Sequence, residues 1–108
     1  MRVKISFLRD QMSANTIPLH HQTLLAESLY QIIDGFGGDR NLFNFSSLKG
    51  TSKIQNGFMR FLSSKVTLVL SSRSAEQLET LTSKVFEMPY LACGKMNLMP
   101  RSHEIIPD

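Results

Sequence analysis

Cysteine is almost missing from this chain. Cys93 stands alone among 108 residues, so no internal disulfide can form, and no Cys/His spacing suits a tetrahedral zinc site. The carboxylates are dispersed, with no cluster that suggests Mg²⁺ catalysis. No purely apolar run reaches the ~18 residues of a membrane-spanning helix. The opening Met1-Arg2-Val3-Lys4-Ile5 alternates basic and apolar residues where a secretory leader places an unbroken hydrophobic stretch. Cys93 has no His/Asp framework around it and reads as a buried hydrophobe in a strand, while Ser46 and Ser47 lack a nucleophile elbow. Low-complexity segments and Lys/Arg runs are absent too. These gaps point to a cytoplasmic protein with no structural metal, no cofactor and no membrane partner.

What remains is an ordinary globular composition, 42% apolar and 19% charged. The length supports one domain, residues 1–108, with a single core. Twelve Lys and Arg against nine Asp and Glu leave a formal charge of +3. That balance leans toward a polyanionic partner, although scattered cations also suit a plain basic domain.

The periodicities follow the order strand, helix, strand, strand, helix, strand. Val3, Ile5 and Phe7 alternate with Arg2, Lys4 and Ser6, as in a strand with one buried face. Asn15-Thr16-Ile17-Pro18 reads as a turn before a helix that starts near His20. Leu25, Leu29, Ile32, Ile33 and Phe36 share one stripe of that helix, and the glycines of Gly35-Phe36-Gly37-Gly38 end it. Because these glycines follow a helix, they do not form a dinucleotide-binding loop. Phe43 and Phe45, then Val66, Leu68 and Leu70, mark two strands. The connection Lys49–Gly57 reads as a turn-rich flexible loop with an Asn56-Gly57 turn. Ser74 and Gln77 have capping-box spacing for a second helix, whose apolar stripe is Leu78, Leu81, Val85 and Met88 and which Pro89 helps to stop. Leu91–Leu98 reads as the last strand, bent at Gly94.

This order predicts an α+β fold: a ferredoxin-like (RRM-like) βαββαβ sandwich, a four-stranded antiparallel sheet with two helices on one face. The other face is then open to a partner. No aromatic-rich RNP pair with its Lys/Arg-Gly-Phe signature is visible, and the same fold hosts ligand sensors and assembly modules.

Ile17-Pro18-Leu19-His20-His21-Gln22, the helix Leu24–Phe36 carrying Tyr30, and Leu42-Phe43-Asn44-Phe45-Ser46-Ser47-Leu48 together resemble the first domain of the CRISPR-associated RNA-processing endoribonucleases, the Cas-six type of the RAMP superfamily. The likeness covers nearly the whole chain as an order of elements, but only the first of that family's two domains. It implies metal-independent cleavage of CRISPR repeat RNA, the 2′-hydroxyl attacking to leave a 2′,3′-cyclic phosphate. It also implies a second ferredoxin-like domain, another copy or CRISPR effector proteins as partners.

Tyr30 is the first catalytic candidate that the resemblance implies. At ~100° per residue the apolar stripe centres near ~20° from Leu25 and Tyr30 lies near ~140°, at the margin of the buried face. A boundary tyrosine bonded to water occupies the same place. His21 is the second candidate, since imidazole moves protons near neutral pH. A helix that includes both separates them by ~13.5 Å along its axis, so His21 and Gln22 also suit the helix entrance or an RNA-backbone contact. The family's histidine usually follows the tyrosine helix, and Gln31–Leu42 contains none; this departure bears directly on cleavage. His20 reads as a solvated first-turn side chain, and His103 as a surface residue near a disordered-looking end. Lys49 and Lys53 are the candidate RNA phosphate contacts, with solvated loop lysines as the alternative. Three functions remain in view: repeat-RNA binding and processing, a noncatalytic protein-interaction or assembly module, and a ligand-sensing domain.

Overall fold

The computed structural model describes residues 1–107, which build two antiparallel sheets and two helices. In chain order the elements are β1 (Arg2–Arg9), β2 (Thr16–Pro18), α1 (Gln22–Gly35), a 3-10 turn (Arg40–Leu42), β3 (Phe43–Phe45), β4 (Ser52–Gln55), β5 (Phe58–Phe61), β6 (Lys65–Ser72), α2 (Ala75–Glu87), β7 (Leu91–Cys93) and β8 (Met96–Ile106). The main sheet runs β3-β6-β1-β8-β7 and the small sheet β2-β5-β4. Without β7, the main sheet keeps the order β3-β6-β1-β8 of a ferredoxin-like fold.

Alternation decides which face is buried. Val3, Ile5 and Phe7 of β1 and Val66, Leu68 and Leu70 of β6 pack against Leu25, Leu29 and Ile33 of α1 and Leu78, Leu81 and Val85 of α2. On the opposite face Ser6 stands between Thr67 and Ser102, and Lys4 between Val69 and Glu104. That face carries no aromatic ring on β1 or β6.

Both helices end through side-chain or glycine chemistry. At the end of α1, Gly37 takes φ +75°. Its N–H donates to the Asp34 carbonyl at 3.1 Å while Gly38 N–H donates to Ile33 at 2.8 Å, closing the Schellman pair. At the start of α2, Ser74 Oγ accepts Gln77 N–H at 3.2 Å. The Gln77 side chain does not return the bond; its Oε1 accepts Asp39 N–H at 3.0 Å, tying α2 to the chain ahead of β3. Met88 lies past the helix and is 37% exposed, so it leaves the expected stripe.

The expected four-stranded sheet is corrected in three places. Gly94, at φ +59°, turns a hairpin instead of bending one strand, and Cys93 pairs with Met96 across it. β8 then continues to Ile106 beside β1, with a bulge that leaves Arg101 unpaired between Ser102 and Pro100. His103 therefore lies opposite Ile5 on an ordered strand. Thr16–Pro18 is a strand rather than a turn, and Ser52–Phe61 is a hairpin rather than a flexible loop; together they form the small sheet. Asn56 (φ 53°) and Gly57 (φ 78°) supply the two left-handed residues that a tight hairpin turn requires.

Candidate nucleic-acid interface

Tyr30 sits half-buried where α1 meets β3, in keeping with its angular position on the helix. Its ring packs on Phe45 with centroids 5.6 Å apart and planes tilted by 54°. The Arg40 guanidinium lies 4.7 Å from the same ring's centroid, a cation over a π face. Arg40 is itself forked onto Asp34, Nε–H to Oδ1 at 3.0 Å and Nη2 to Oδ2. Hydrogen bonding to that guanidinium holds the Asp34 carboxyl below its ordinary value. The 3-10 turn thus places an arginine over the tyrosine, and the sequence reading missed it.

His21 is placed very differently. It caps α1 just before Gln22, and its side chain is only 1% exposed. Nε2 accepts the Leu48 N–H at 3.1 Å, a bond spanning 27 residues between the start of α1 and the segment after β3. An accepting Nε2 puts the proton of a neutral ring on Nδ1. Nδ1 faces the Pro18 and Leu19 carbonyls without a hydrogen bond of ordinary geometry. Burial lowers the imidazole pKa from 6.5, and the pull of those carbonyls only partly opposes it. With Nε2 occupied and desolvated, His21 pins the start of α1 to the segment after β3, a placement that does not favour the catalytic reading. Tyr30 is nine positions further along an unbroken helix, ~13.5 Å of rise, and the fold does not bring the two together. His20 is exposed, and His103 stacks edge-on against Phe86 at 5.2 Å. Cys93 is buried, with Sγ 4.0 Å from the His21 carbonyl; desolvation pushes its thiol up to about 11.

The two lysine candidates lie apart, Lys49 on an isolated bridge beside the main sheet and Lys53 in the small sheet. Lys49 exchanges backbone bonds with Thr67 at 2.9 and 2.8 Å, beside the main sheet. Lys53 is on β4, directly opposite Arg60 of β5, which in turn faces Thr16 of β2. Two register positions away, Pro18, Phe58 and Gln55 form a second row on the same face. Thr16, Lys53, Gln55, Asn56, Phe58 and Arg60 line a groove of about 430 Å³. Sequence reasoning missed Phe58 and Arg60, yet counting outward from Asn56-Gly57 pairs Gln55 with Phe58 and Lys53 with Arg60.

A larger groove, about 670 Å³, lies between α2 and the far end of β8. Phe86 and Ile105 give it an apolar lining, and its charged side chains are Glu79 and Glu87, the latter paired with Lys84. With no Lys or Arg on its wall, size alone does not make it the better candidate for phosphate. Among the described residues no three His, Cys, Asp or Glu gather as metal ligands, and no helix is long and apolar enough to cross a membrane.

No protein-family model and no curated protein matches the sequence. Solved structures do. A structure described as "CRISPR associated protein Cas6" superposes on all of this chain with a TM-score of 0.85 at 24% identity, covering 49% of that protein. "An RAMP protein binding different RNA substrates" matches 99% of this chain and 48% of its own length, with TM-score 0.83 and 16% identity. The structure from "Characterization of a Cas6-related gene from Pyrococcus furiosus" matches the whole chain and 48% of its own, at 0.74 and 18%. The chain spans about half the length of each. Its fold is the fold of those halves.

Proposed function

We propose that this domain is the RNA-binding half of a CRISPR repeat-RNA processing protein. The observation that carries the proposal is the superposition of the entire chain on half of a Cas6 structure and half of an RNA-binding RAMP protein. The charge of +3 and the resemblance around Tyr30 support it. In this proposal Lys53 contacts phosphate. Lys49, beside the main sheet, contacts it separately. Tyr30, with its ring held between Phe45 and Arg40, positions RNA through its hydroxyl. The missing partner is a second ferredoxin-like domain, whether from the same protein, another copy or an effector subunit.

Cleavage by this chain alone is expected to be weak or absent. Transesterification needs a base at the 2′-hydroxyl and an acid at the departing 5′-oxygen, and loss of either costs typically ~10²–10⁴-fold. Here the interval after Tyr30 has no histidine and His21 is buried. Repeat RNA titrated at two salt concentrations in EDTA, followed by analysis of its 3′ ends, tests both halves of the proposal. Weak, salt-sensitive binding with little cleavage is expected, and any product carries a 2′,3′-cyclic phosphate. Tight binding indifferent to salt contradicts it. The groove beside α2, with Ile105 65% exposed, favours assembly as a second reading; light scattering over a dilution series, and recovery of a bound partner, test that separately.

A further inference from the structure

We infer that the outward face of the small sheet is a stacking ledge for an unpaired RNA nucleotide, with the base on Phe58 and the flanking phosphates on Lys53 and Arg60. This deepens the RNA-binding proposal and rests on it. The two faces of this sheet are unlike. Its inner side buries Ile17 and Phe61 completely and Met59 in part, leaving only Ile54 at the β4 edge 63% exposed, while Phe58 stands 50% exposed on the outer side among polar and cationic neighbours. The same strand sends Phe61 fully into the core, so β5 carries one aromatic inward and one outward.

The charges make the same case. Lys53 and Arg60 are direct cross-strand neighbours, an arrangement of like charges that opposes pairing. Neither is ion-paired among the described residues, and no carboxylate lines the groove. A phosphate between them relieves the repulsion. Gln55 and Asn56 add amide donors and acceptors beside the ring, suited to a base edge. The platform is also held in place. Leu19 N–H donates to Gly57 O at 2.9 Å, Phe61 N–H to Asn15 O at 2.9 Å and Leu62 N–H to Thr51 O at 2.8 Å, so little ordering is left for binding to supply. An aromatic flanked by cations accepts a base only when that base is out of a duplex.

Stacking and charge leave different signatures in a salt titration. Anisotropy of labelled single-stranded repeat RNA, and of the same strand annealed to its complement, is measured over a salt series. The proteins are the parent chain, Phe58→Ala, Phe58→Tyr, Lys53→Ala/Arg60→Ala and Lys84→Ala, a control whose lysine pairs with Glu87 on α2. Phe58→Ala is expected to weaken single-strand binding by roughly 5- to 100-fold with the salt slope unchanged, and Phe58→Tyr to restore it. The double charge variant is expected to flatten the slope of log K against log salt by about 1.4, two contacts at ~0.7 each. Thermal melts of the same samples confirm folding, and Lys84→Ala is expected to match the parent. If the parent binds RNA but the Phe58 and charge variants bind like it, the ledge is wrong and the RNA proposal survives. If the parent binds no RNA at low salt, both fall. Duplex bound as tightly as single strand, or Phe58→Ala changing the slope as much as the charge variant, also overturns stacking.

Discussion

In the main sheet Phe7 and Phe43 face the helices and are buried, whereas in the small sheet Phe58 stands half in solvent beside Lys53 and Arg60. After an exposed first residue, β1 alternates buried and half-buried residues from Val3 to Leu8 and β6 from Val66 to Ser72, while every residue of β4 is exposed. The first region has its side chains assigned by the need to remove apolar surface from water. The second is anchored in the core through Ile17 and Phe61 and held by backbone bonds and a tight turn, which leaves its outward side chains free for chemistry with a partner. Stability and recognition are expected to separate along this boundary.

Truncating one side chain in each region should separate the two most widely. Leu68→Ala, fully buried on β6, is expected to cost about 2–5 kcal/mol, and Phe58→Ala no more than ~0.5 kcal/mol, both from denaturant unfolding. Equal losses would mean that Phe58, too, belongs to the core.

His21 joins the two regions, because its Leu48 bond pins the segment between β3 and β4 to the start of α1. Removing the acceptor in His21→Ala leaves a buried N–H unsatisfied and is expected to cost about 1–3 kcal/mol. An unchanged midpoint in urea would show that the pin carries no load. Its protonation gives a further handle. The folded-state pKa lies below 6.5, so the unfolded chain binds the extra proton first. Stability is therefore full above pH 6.5 and falls as pH drops through that value toward the folded pKa, by at most ~1.4 kcal/mol per pH unit for one group. His21→Gln is expected to remove this component, read as the difference between the two pH profiles. At Ser74, alanine removes the cap on α2 and should lower stability by about 1 kcal/mol with RNA binding untouched.

The same boundary separates what is legible in the sequence from what is not. β1, α1, β6 and α2 announce themselves because each buries a stripe or an alternating face, and the angular position of Tyr30 follows from the helix repeat. The small sheet does not, since its strands have three or four residues and no apolar alternation; only Asn56-Gly57 signals it. His21 looks reactive by its chemistry, and only the distant Leu48 reveals that its nitrogen is occupied. Arg40 reaches the Tyr30 ring through the turn after α1, a path that no periodicity encodes. β8 outruns its expected end because β1 offers it a partner as far as Arg2.

Backbone amide shifts of the labelled chain, titrated with single-stranded repeat RNA, test the central claim most directly. Perturbations are expected to gather on Thr16 and on Lys53–Arg60, with a second, smaller set around Tyr30, while the core amides of β1, β6 and the α2 groove stay still. Perturbations concentrated on Glu79, Phe86 and Ile105, or spread evenly over the domain, would contradict it.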